Sequence, residues 1–385
     1  MIMNNVLCII IKGLFNLSVI IALCGCKSTN TNPIVSAIEA DVTSNAELKL
    51  SEYFENFKML KLPTDTIMGE IRRIRYENSQ IYISDGQTLF VFSDDGELLS
   101  CFRKRGEGPG EYSRISDFMV DGEIITILDR NQQRLLTYDH YGESISTRKI
   151  GYWAQAISPV IDGSYFLYCG NEYGVDERHK LRRIKNDRED FQYLPIDENQ
   201  SKYLHINMRH NFFKHQKIVY FFETFNDIVY ESVGGGRIEP SFFVDFMGKN
   251  VPQSFFEKKF ANIADFFMEF NNTSYAYGVL NFAIYDRFLM FGSYYQTKMK
   301  LTIFERKDRI SKTYAAIKDD IYFNGLTVPV SEFKYHANKR IFVPIDAFSV
   351  VEWKKTNPPA KQFKELVDIT EEEDNPLLLI FDFKQ

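Results

Sequence analysis

Short runs of Ile, Val, Tyr and Phe, separated by polar turn residues, dominate the chain after its first fifty residues. Residues 80–85 and 89–92 form two such runs, and Asp94-Asp95-Gly96 follows them as a turn. Residues 125–129 and 135–138 repeat the unit 44 residues further along, with two more residues in the first turn. Runs of β-branched and aromatic residues bounded by Asp and Gly are typical of short antiparallel strands. The pattern therefore predicts repeated β-hairpins.

The unit recurs more loosely along the rest of the chain, which gives six copies. Their first strands are expected at residues 80–85, 125–129, 162–168, 217–222, 289–292 and 339–343. A repeat of roughly 40–50 residues with about four strands each is typical of a β-propeller blade. The sequence therefore predicts an all-β fold, a six-bladed β-propeller over residues 54–385.

The ends of the predicted propeller suggest how its ring closes. Residues 375–383 form an apolar strand of the sixth blade with no further strand after it, and residues 57–62 form an apolar strand ahead of the first blade. Because an unpaired strand edge invites aggregation, we expect residues 57–62 to supply the outer strand of the sixth blade.

Two segments depart from the strand pattern. Residues 252–271 carry apolar side chains at helical spacing, and those expected on one helical face are Phe256, Phe260, Ile263, Phe267 and Phe270. This pattern predicts a helical insertion between blades four and five, whose apolar face either covers the propeller rim or docks a partner. Residues 361–373 predict a second, short helix that runs into the acidic residues 371–374.

The amino terminus has the features of a secretory signal. Lys12 precedes an apolar run over residues 14–23, which is too short to span a membrane and ends in Leu23-Cys24-Gly25-Cys26. These four residues resemble the bacterial lipobox, which implies cleavage before Cys26 and diacylglycerol on its sulfur. An ordinary signal peptide with an incidental cysteine is the alternative. The predicted organisation is a signal peptide over 1–25, a lipidated Cys26 with a flexible tether over 26–53, and the propeller.

The residues after Cys26 bear on the location of the anchored protein. Lys27 replaces the Asp that retains lipoproteins in the inner membrane, which favours the outer membrane. Residues 27–30 contain no acidic residue of the kind that directs some lipoproteins to the cell surface. We therefore expect an outer membrane lipoprotein on the periplasmic face.

Composition narrows the function classes further. The net charge of −6 and the pI of about 5.7 argue against a nucleic-acid partner. The aromatic content of 15% fits blades that are covered on both faces by their neighbours. Of the five cysteines, only Cys101 and Cys169 remain after cleavage and lipidation, and we expect two separate, mostly buried thiols.

A glycine-rich string over residues 103–112 is the most distinctive motif. It is a poor phosphate loop, because Pro109 offers no N–H and no helix follows it. The favoured interpretation is a sharp connection between blades one and two, in which three glycines allow positive φ. The alternative is that Arg103, Arg105 and Arg114 present guanidinium groups for a carboxylate or a sulfate.

Three segments of the chain resemble the six-bladed β-propeller lipoproteins of Gram-negative bacteria, which are NHL-repeat-like. These segments are residues 106–112, residues 115–118 and the ending, residues 371–379. The resemblance covers residues 54–385 and implies a propeller on a lipid anchor. It implies no agreed activity, so it carries no catalytic residues onto this chain.

The remaining candidates for chemistry are few. His205, His210 and His215 are five residues apart and cannot share one face of a strand, and most histidines are expected to be solvated. A site built from histidines of different blades at the channel stays open, although no metal and no cofactor is predicted. Two common hydrolase signatures are absent from the sequence.

The sequence therefore predicts a membrane-anchored binding or scaffold propeller for a glycan, a peptide or an envelope protein, and it favours a non-enzymatic role over catalysis. Its candidate ligand-binding residues are Arg103, Arg105, Arg114, Asp129 and Arg130. The alternative is a hydrolase or lyase whose site lies at the channel mouth and uses the same blade-face residues.

Overall fold

The structure, a computed structural model, describes residues 36–171, 178–186, 188–206 and 210–384. Within these residues the chain forms six β-sheets, each made mainly of strands that follow one another in the sequence. They are the six blades of a β-propeller, so the predicted fold class is confirmed. The predicted signal segment and Cys26 lie outside the described residues.

Three strands and one helical turn precede the first blade. They are β1 (Ser36–Glu39), β2 (Ala46–Lys49), α1 (Leu50–Tyr53) and β3 (Phe54–Lys61).

Blades 1 to 3 each contain four antiparallel strands, which follow one another from the propeller axis outward. Blade 1 consists of β4 (Arg73–Glu77), β5 (Gln80–Ser84), β6 (Leu89–Ser93) and β7 (Leu98–Phe102). Blade 2 consists of β8 (Asp117–Asp121), β9 (Ile124–Asp129), β10 (Arg134–Asp139) and β11 (Ser144–Lys149). Blade 3 consists of β12 (Ala156–Pro159), β13 (Tyr165–Tyr168), β14 (His179–Lys185) and β15 (Arg188–Pro195).

Short helices or an additional strand accompany blades 4 to 6. Blade 4 consists of β16 (Phe212–His215), β17 (Ile218–Phe221), β18 (Ile228–Val233) and β19 (Arg237–Asp245), and α2 (Gln253–Phe256) and α3 (Ile263–Phe270) follow it. Blade 5 consists of β20 (Ala276–Ile284), β21 (Phe288–Tyr295), β22 (Lys298–Glu305) and β23 (Ile310–Asp319), with β24 (Leu326–Val328) paired to β23. Blade 6 contains β25 (Tyr335–Ala337), β26 (Arg340–Ile345), α4 (Ala347–Thr356), α5 (Lys364–Asp368) and β27 (Leu377–Phe383).

The ring closes as the sequence predicts. β3 pairs antiparallel with β27 and is the outer strand of blade 6, with Leu60 opposite Leu378. A strand that precedes blade 1 in the chain therefore completes the last blade, and the edge of β27 is covered.

The strands that the sequence placed first in each unit are the second strands of the blades. Residues 80–85 and 125–129 correspond to β5 and β9, and an innermost strand precedes each of them in its sheet. The assignment is wrong because several innermost strands carry charged or polar residues toward the axis, so their apolar alternation is weak. Among them is β4, with the sequence Arg-Ile-Arg-Tyr-Glu.

The segment that precedes β3 is more ordered than the predicted tether. β1 pairs in parallel with β19 at the edge of blade 4, and β2 pairs in parallel with β23 at the edge of blade 5. Ile38 and Leu48 are fully buried there. The ordered part of the chain therefore includes residues 36–53, which the sequence assigned to a flexible tether.

The aromatic residues fill the spaces between blades, as expected. Between blades 3 and 4, Phe166 stacks on Phe212 with ring centroids 6.4 Å apart, and Tyr168 contacts Phe221 at 5.2 Å. Similar apolar clusters lie between the other pairs of neighbouring blades. This packing holds rigid inner strands at the propeller axis.

The two cysteines differ in environment. Neither is in a disulfide bond, and Cys169 is buried, but Cys101 is exposed. Cys101 lies on β7, an outer strand in which successive side chains alternate between a neighbouring blade and solvent. The expectation of two buried thiols is therefore wrong for Cys101.

The segment predicted as one helix over 252–270 forms two separate short helices, α2 and α3. Asn262 ends the break between them, and its side chain accepts hydrogen bonds from the backbone N–H groups of Ala264 and Asp265. Phe255, Phe256, Phe266 and Phe270 are the buried phenylalanines. The predicted apolar face is wrong in Phe260, Ile263 and Phe267. These three side chains are only partly buried, because the segment is two separate helices and not one helix with a continuous face.

The glycine-rich string forms the connection between blades 1 and 2, but not through three positive φ angles. Of its three glycines only Gly110 has a positive φ, of 71°. Gly108 donates its N–H to the Glu111 carboxylate at 2.9 Å, and a side chain at Gly106 would collide with that carboxylate. Tyr112 is fully buried and donates its hydroxyl hydrogen to the carbonyl of Gln87.

Candidate functional site

The antiparallel blades give the propeller two distinct faces. The hairpin face carries the turns between first and second strands, such as residues 78–79, 122–123, 216–217 and 338–339. The connection face carries the links from one blade to the next, such as residues 103–116, and the turns between second and third strands.

A cavity of about 210 Å³ lies at the propeller axis. All six innermost strands contribute to its lining. Examples, one from each of blades 1 to 6 in order, are Arg75, Val120, Ser158, Lys214, Asn281 and His336. Glu77, Gln216 and Asn338, at or beside turns of the hairpin face, complete the rim. The cavity, which we call the channel cavity, therefore opens toward the hairpin face.

A charged cluster closes the deep end of the channel cavity, where β4 and β8 begin. The Arg73 Nε atom lies 2.8 Å from Asp117 Oδ1, and the Arg75 Nη2 atom lies 3.2 Å from the same oxygen. The Asp117 side chain is completely buried, and that of Arg73 is 9% exposed. One carboxylate therefore holds two guanidinium groups of blade 1.

Asp117 also ties a third blade to this cluster. Its Oδ2 atom accepts the backbone N–H of Ile157 at 2.9 Å, and Arg75 donates to the carbonyl of Ile157 at 3.1 Å. Blades 1, 2 and 3 thus meet at one carboxylate. Buried charges need such partners, because an unpaired ion in this environment is strongly destabilising.

His210 extends the cluster toward blade 6. Arg73 Nη1 donates to His210 Nδ1 at 2.5 Å, and the His210 ring meets the Tyr335 ring edge-on at 5.2 Å. Burial, and then the charge of Arg73, lower the pKa of His210 well below its usual value. His210 is therefore a neutral imidazole at neutral pH.

His336 is a second neutral histidine of the channel cavity. Its Nε2 atom donates to the carbonyl of Phe333 at 3.1 Å, and its Nδ1 atom accepts from the Tyr285 hydroxyl at 3.2 Å. Burial lowers the pKa of His336 to about 4, although the carbonyl of Phe333 opposes that shift. Two of the six histidines therefore meet at the axis.

The channel cavity has an excess of positive charge. Arg73, Arg75, Lys214 and Lys334 border it, whereas Glu77 is the one acidic residue in its described lining and Asp117 lies behind the two arginines. The Lys214 ammonium has no hydrogen bond or ion pair with another described residue, and Lys334 reaches Glu332 only at 3.7 Å. The negative charge of Asp117 balances the positive charge of only one of the two arginines that it contacts. Cationic groups therefore remain in the cavity to attract an anion.

Aromatic rings form the rest of the cavity wall. Tyr76, Phe212, Phe282 and Tyr335 come from four different blades. Apolar walls with a few converging polar groups are the usual composition of a small-molecule site. The arrangement can therefore position a small ligand that combines an anionic group with an apolar surface.

The residues that the sequence proposed lie elsewhere. Arg103, Arg105 and Arg114 are exposed on the connection face, where Arg103 Nη2 donates to Gln87 Oε1 at 2.6 Å. Arg105 Nη1 donates to the same oxygen at 3.4 Å. These arginines are on the face opposite the opening of the channel cavity.

Asp129 and Arg130, at the end of β9, have structural contacts. Asp129 is fully buried and accepts the N–H of Ser113 at 2.7 Å and its hydroxyl at 2.8 Å. Arg130 places its guanidinium 5.9 Å from the centre of the Trp153 ring. Asp129 therefore fixes the connection between blades 1 and 2, and its carboxylate is committed to that role.

Sequence reasoning missed the channel residues Arg73, Arg75, Asp117, His210 and His336. One signal was available in β4, where Arg73, Arg75 and Glu77 alternate with apolar residues and so share one face of a strand. The partners of these residues come from strands far away in sequence. The sequence alone does not pair them.

Two further findings concern metal ligands and membrane spans. Within the part of the chain that the structure describes, no three His, Cys, Asp or Glu side chains are grouped as metal ligands would be. In that same part, every helix is too short or too polar to cross a bilayer.

Comparisons with known proteins place the fold and the family. The chain is similar in structure to an exported protein from Bacteroides fragilis NCTC 9343, with 19% identity and a TM-score of 0.70 over 91% of this chain and 100% of that one. A member of the DUF4221 family from Bacteroides vulgatus has 10% identity and a TM-score of 0.48, over 86% of this chain and 98% of that one. No curated protein matches the sequence. A family model described as a domain of unknown function (DUF4934) matches residues 33–382, and the chain belongs to this family.

Proposed function

We propose that this protein is an exported binding propeller whose channel cavity holds an anionic group of a glycan or a peptide. The observation that carries the proposal is the excess of cationic side chains in a cavity lined by all six innermost strands. A carboxylate or sulfate would enter from the hairpin face and meet Lys214, Lys334 and Arg75. The aromatic wall would contact the apolar part of the same ligand.

The rigidity of the site supports a binding role. Asp117 and His210 hold the Arg73 side chain, and Asp117 and the carbonyl of Ile157 hold that of Arg75. A preorganised cation loses little conformational entropy when a ligand binds, and this raises affinity. The two lysines remain free to adapt to the ligand.

The binding test uses the purified protein and four anionic probes: D-galacturonate, D-glucuronate, L-glutamate and inorganic sulfate. Titration calorimetry is expected to detect at least one of them, with affinity roughly tenfold weaker in Lys214→Ala, because one close charge pair contributes about 1.4 kcal/mol. Lys149→Ala is the matched control, since this exposed lysine lies on the outer strand β11 of blade 2. Absence of heat for all four probes, or equal affinities in Lys214→Ala and wild type, would refute the anion site.

We further propose that the protein is exported and anchored in the outer membrane, on its periplasmic face, through a lipidated Cys26. The signal-like segment, the lipobox-like residues before Cys26 and the similarity to an exported protein support this location. Metabolic labelling with an acyl analogue is expected to tag the wild type and to leave Cys26→Ala untagged and released from membranes. Cys101→Ala is the control. Equal labelling of Cys26→Ala and wild type would contradict lipidation.

A lyase or hydrolase acting at the channel is the second candidate function. It is favoured by the buried guanidinium of Arg73, which Asp117 and His210 Nδ1 hold in place, because a fixed cation can stabilise the negative charge that develops on a substrate. Incubation with polygalacturonate or chondroitin sulfate would then release shorter chains, and His210→Ala would not. Intact polymer after prolonged incubation with the wild-type protein would exclude this activity for those substrates.

A further inference from the structure

A second cavity lies on the connection face, beside blade 5. Its volume is about 600 Å³, and it is bounded by α3, the residues after it, the start of β20 and the turn between β21 and β22. We call it the aromatic groove. Its polar side chains include Asn271, Tyr275, Tyr277, Tyr294 and Gln296.

The described lining of the aromatic groove contains no charged residue. Its residues are Phe and Tyr, together with Asn, Gln and Thr. The contrast with the channel cavity is chemical, because amides and hydroxyls both donate and accept hydrogen bonds without carrying charge. An ionic ligand would lose its hydration in this groove without gaining a counter-charge.

Stacked rings build the wall of the groove. Tyr277 lies between two nearly parallel rings, with its centroid 4.5 Å from that of Phe225 and 5.4 Å from that of Tyr294. Tyr277 is the one ring among the described residues that contacts Tyr294, and the half-buried Tyr294 itself lines the groove. The stack therefore ends in an aromatic surface that a ligand can cover.

The stack is supported from behind by a dense aromatic cluster. Phe225 contacts Phe256, Phe266 and Phe270 at centroid distances of 6.0, 5.1 and 5.6 Å. Phe225 itself has a φ of 60°, which is unusual for a residue with a bulky side chain. The surrounding rings hold it in place, so the groove is formed before any ligand arrives.

The polar groups of the groove are uncommitted. The hydroxyls of Tyr275, Tyr277 and Tyr294 and the side-chain amides of Asn271 and Gln296 make no hydrogen bond to another described residue. Burial, and then the neighbouring Tyr294, raise the pKa of Tyr277 to about 12, so its hydroxyl stays protonated. Three hydroxyls and two amides are therefore available to a ligand.

We propose that the aromatic groove binds a neutral oligosaccharide. A pyranose ring has an apolar C–H face and an edge of hydroxyls, and the groove offers a complement to each: the aromatic ring of Tyr294 in its wall, and uncharged donors and acceptors around that ring. The cavity volume lies within the usual range for ligand sites, and preformed walls reduce the entropic cost of binding. This site is separate from the channel cavity, and it does not depend on the proposed anion binding.

The test uses the purified full chain and four neutral probes: maltohexaose, cellohexaose, xylohexaose and chitohexaose. Titration calorimetry is expected to show binding of at least one probe, with affinity at least tenfold weaker in Tyr294→Ala. Tyr294→Phe, which keeps the ring, should lose less than threefold. Gln296→Ala changes an exposed side chain and should weaken binding about fivefold, so it tests the proposal even if Tyr294→Ala folds poorly.

Two controls separate this proposal from the anion site. Tyr141→Ala removes a tyrosine that is 74% exposed in a turn of blade 2 and should leave binding unchanged. Lys214→Ala should leave oligosaccharide binding unchanged while it weakens anion binding. The inference would be overturned if none of the four probes bound at millimolar concentration, or if Tyr294→Ala and the wild type bound a probe with equal affinity. It would also be overturned if the groove bound aromatic peptides in place of sugars.

Discussion

The two cavities of this propeller differ in how the fold builds them. The channel cavity is lined by regular innermost strands from six blades, and its key groups are buried charges such as Arg73 and Asp117. The aromatic groove is built mainly by the long connection between blades 4 and 5, and its key groups are uncharged rings. The first depends on closure of the whole ring, whereas the second depends on a local cluster of phenylalanines.

This difference shows where a propeller can place each kind of chemistry. At the axis the six strands converge, so charged side chains from distant blades can neutralise one another in a confined space. At the rim a connection has room for bulky rings that pack among themselves. The channel cavity should therefore respond to charge and pH, and the aromatic groove should respond to neither.

The largest expected effect is that of Asp117→Ala. Removing this carboxylate leaves Arg73 and Arg75 buried without their counter-charge and is expected to cost about 3–5 kcal/mol of folding stability. Urea unfolding monitored by tyrosine and tryptophan fluorescence measures the loss. Asp95→Ala is the control, because Asp95 is 84% exposed in its pair with Lys58 and should cost less than about 1 kcal/mol. Equal losses in the two variants would remove the special role of Asp117.

The second prediction concerns acid. The pKa of His336 falls from 6.5 to about 4 in the folded protein, so the unfolded chain takes up a proton first as the pH drops. His336 should therefore have no effect on stability above pH 6.5 and should destabilise the fold by up to about 3 kcal/mol as the pH falls to 4. The free energy of unfolding, measured over this pH range, should decline less steeply in His336→Gln. If the free energy of unfolding fell equally steeply with pH in His336→Gln and in the wild type, the result would contradict a buried neutral His336.

A smaller effect is expected in the aromatic groove. Tyr294→Ala removes one partly exposed ring from the end of the stack on Tyr277 and should lower stability by about 1 kcal/mol. Phe266→Ala is the internal comparison, since Phe266 is fully buried in the cluster behind the groove and should cost roughly 3–5 kcal/mol. A loss for Tyr294→Ala as large as that for Phe266→Ala would mean that Tyr294 belongs to the core.

The smallest predicted effect separates the two cavities by salt. Binding of an anion near Lys214 should weaken about threefold when ionic strength rises to roughly 1 M, where the Debye length is only about 3 Å. Binding of a neutral oligosaccharide in the aromatic groove should stay constant over the same range. Titration calorimetry at low and high sodium chloride compares them directly. The comparison would be contradicted if salt weakened oligosaccharide binding in the aromatic groove, or if anion binding in the channel cavity did not change with salt.

Much of the fold could be predicted because a repeat carries its own evidence. The alternation of short apolar runs and Asp-Gly turns indicated the number of blades, and the apolar residues 57–62 indicated the strand that closes the ring. The position of each strand within its blade was wrong, because the innermost strand lacks clear apolar alternation. Cys101 was misplaced for a related reason, since one face of an outer strand is exposed.

The candidate site was less predictable than the fold. Arg103, Arg105 and Arg114 stood out because they flank glycines, which are visible as a local string. The Arg73–Asp117–His210 cluster joins residues separated by up to 137 positions, and no local pattern marks such a pair. Residue type suggested chemistry, but only neighbours in space decided which groups could act together.

The sequence by itself determined the repeat, the strand content, the ring closure and the aromatic filling between blades. These follow from short-range patterns, because the side-chain period and turn residues of a strand are local properties. Only the tertiary structure decided that β1 and β2 extend blades 4 and 5, that two histidines face one cavity, and that Tyr277 lies between Phe225 and Tyr294. Each of these depends on how distant segments come together when the ring closes, and burial then sets the charge state of the groups that meet there.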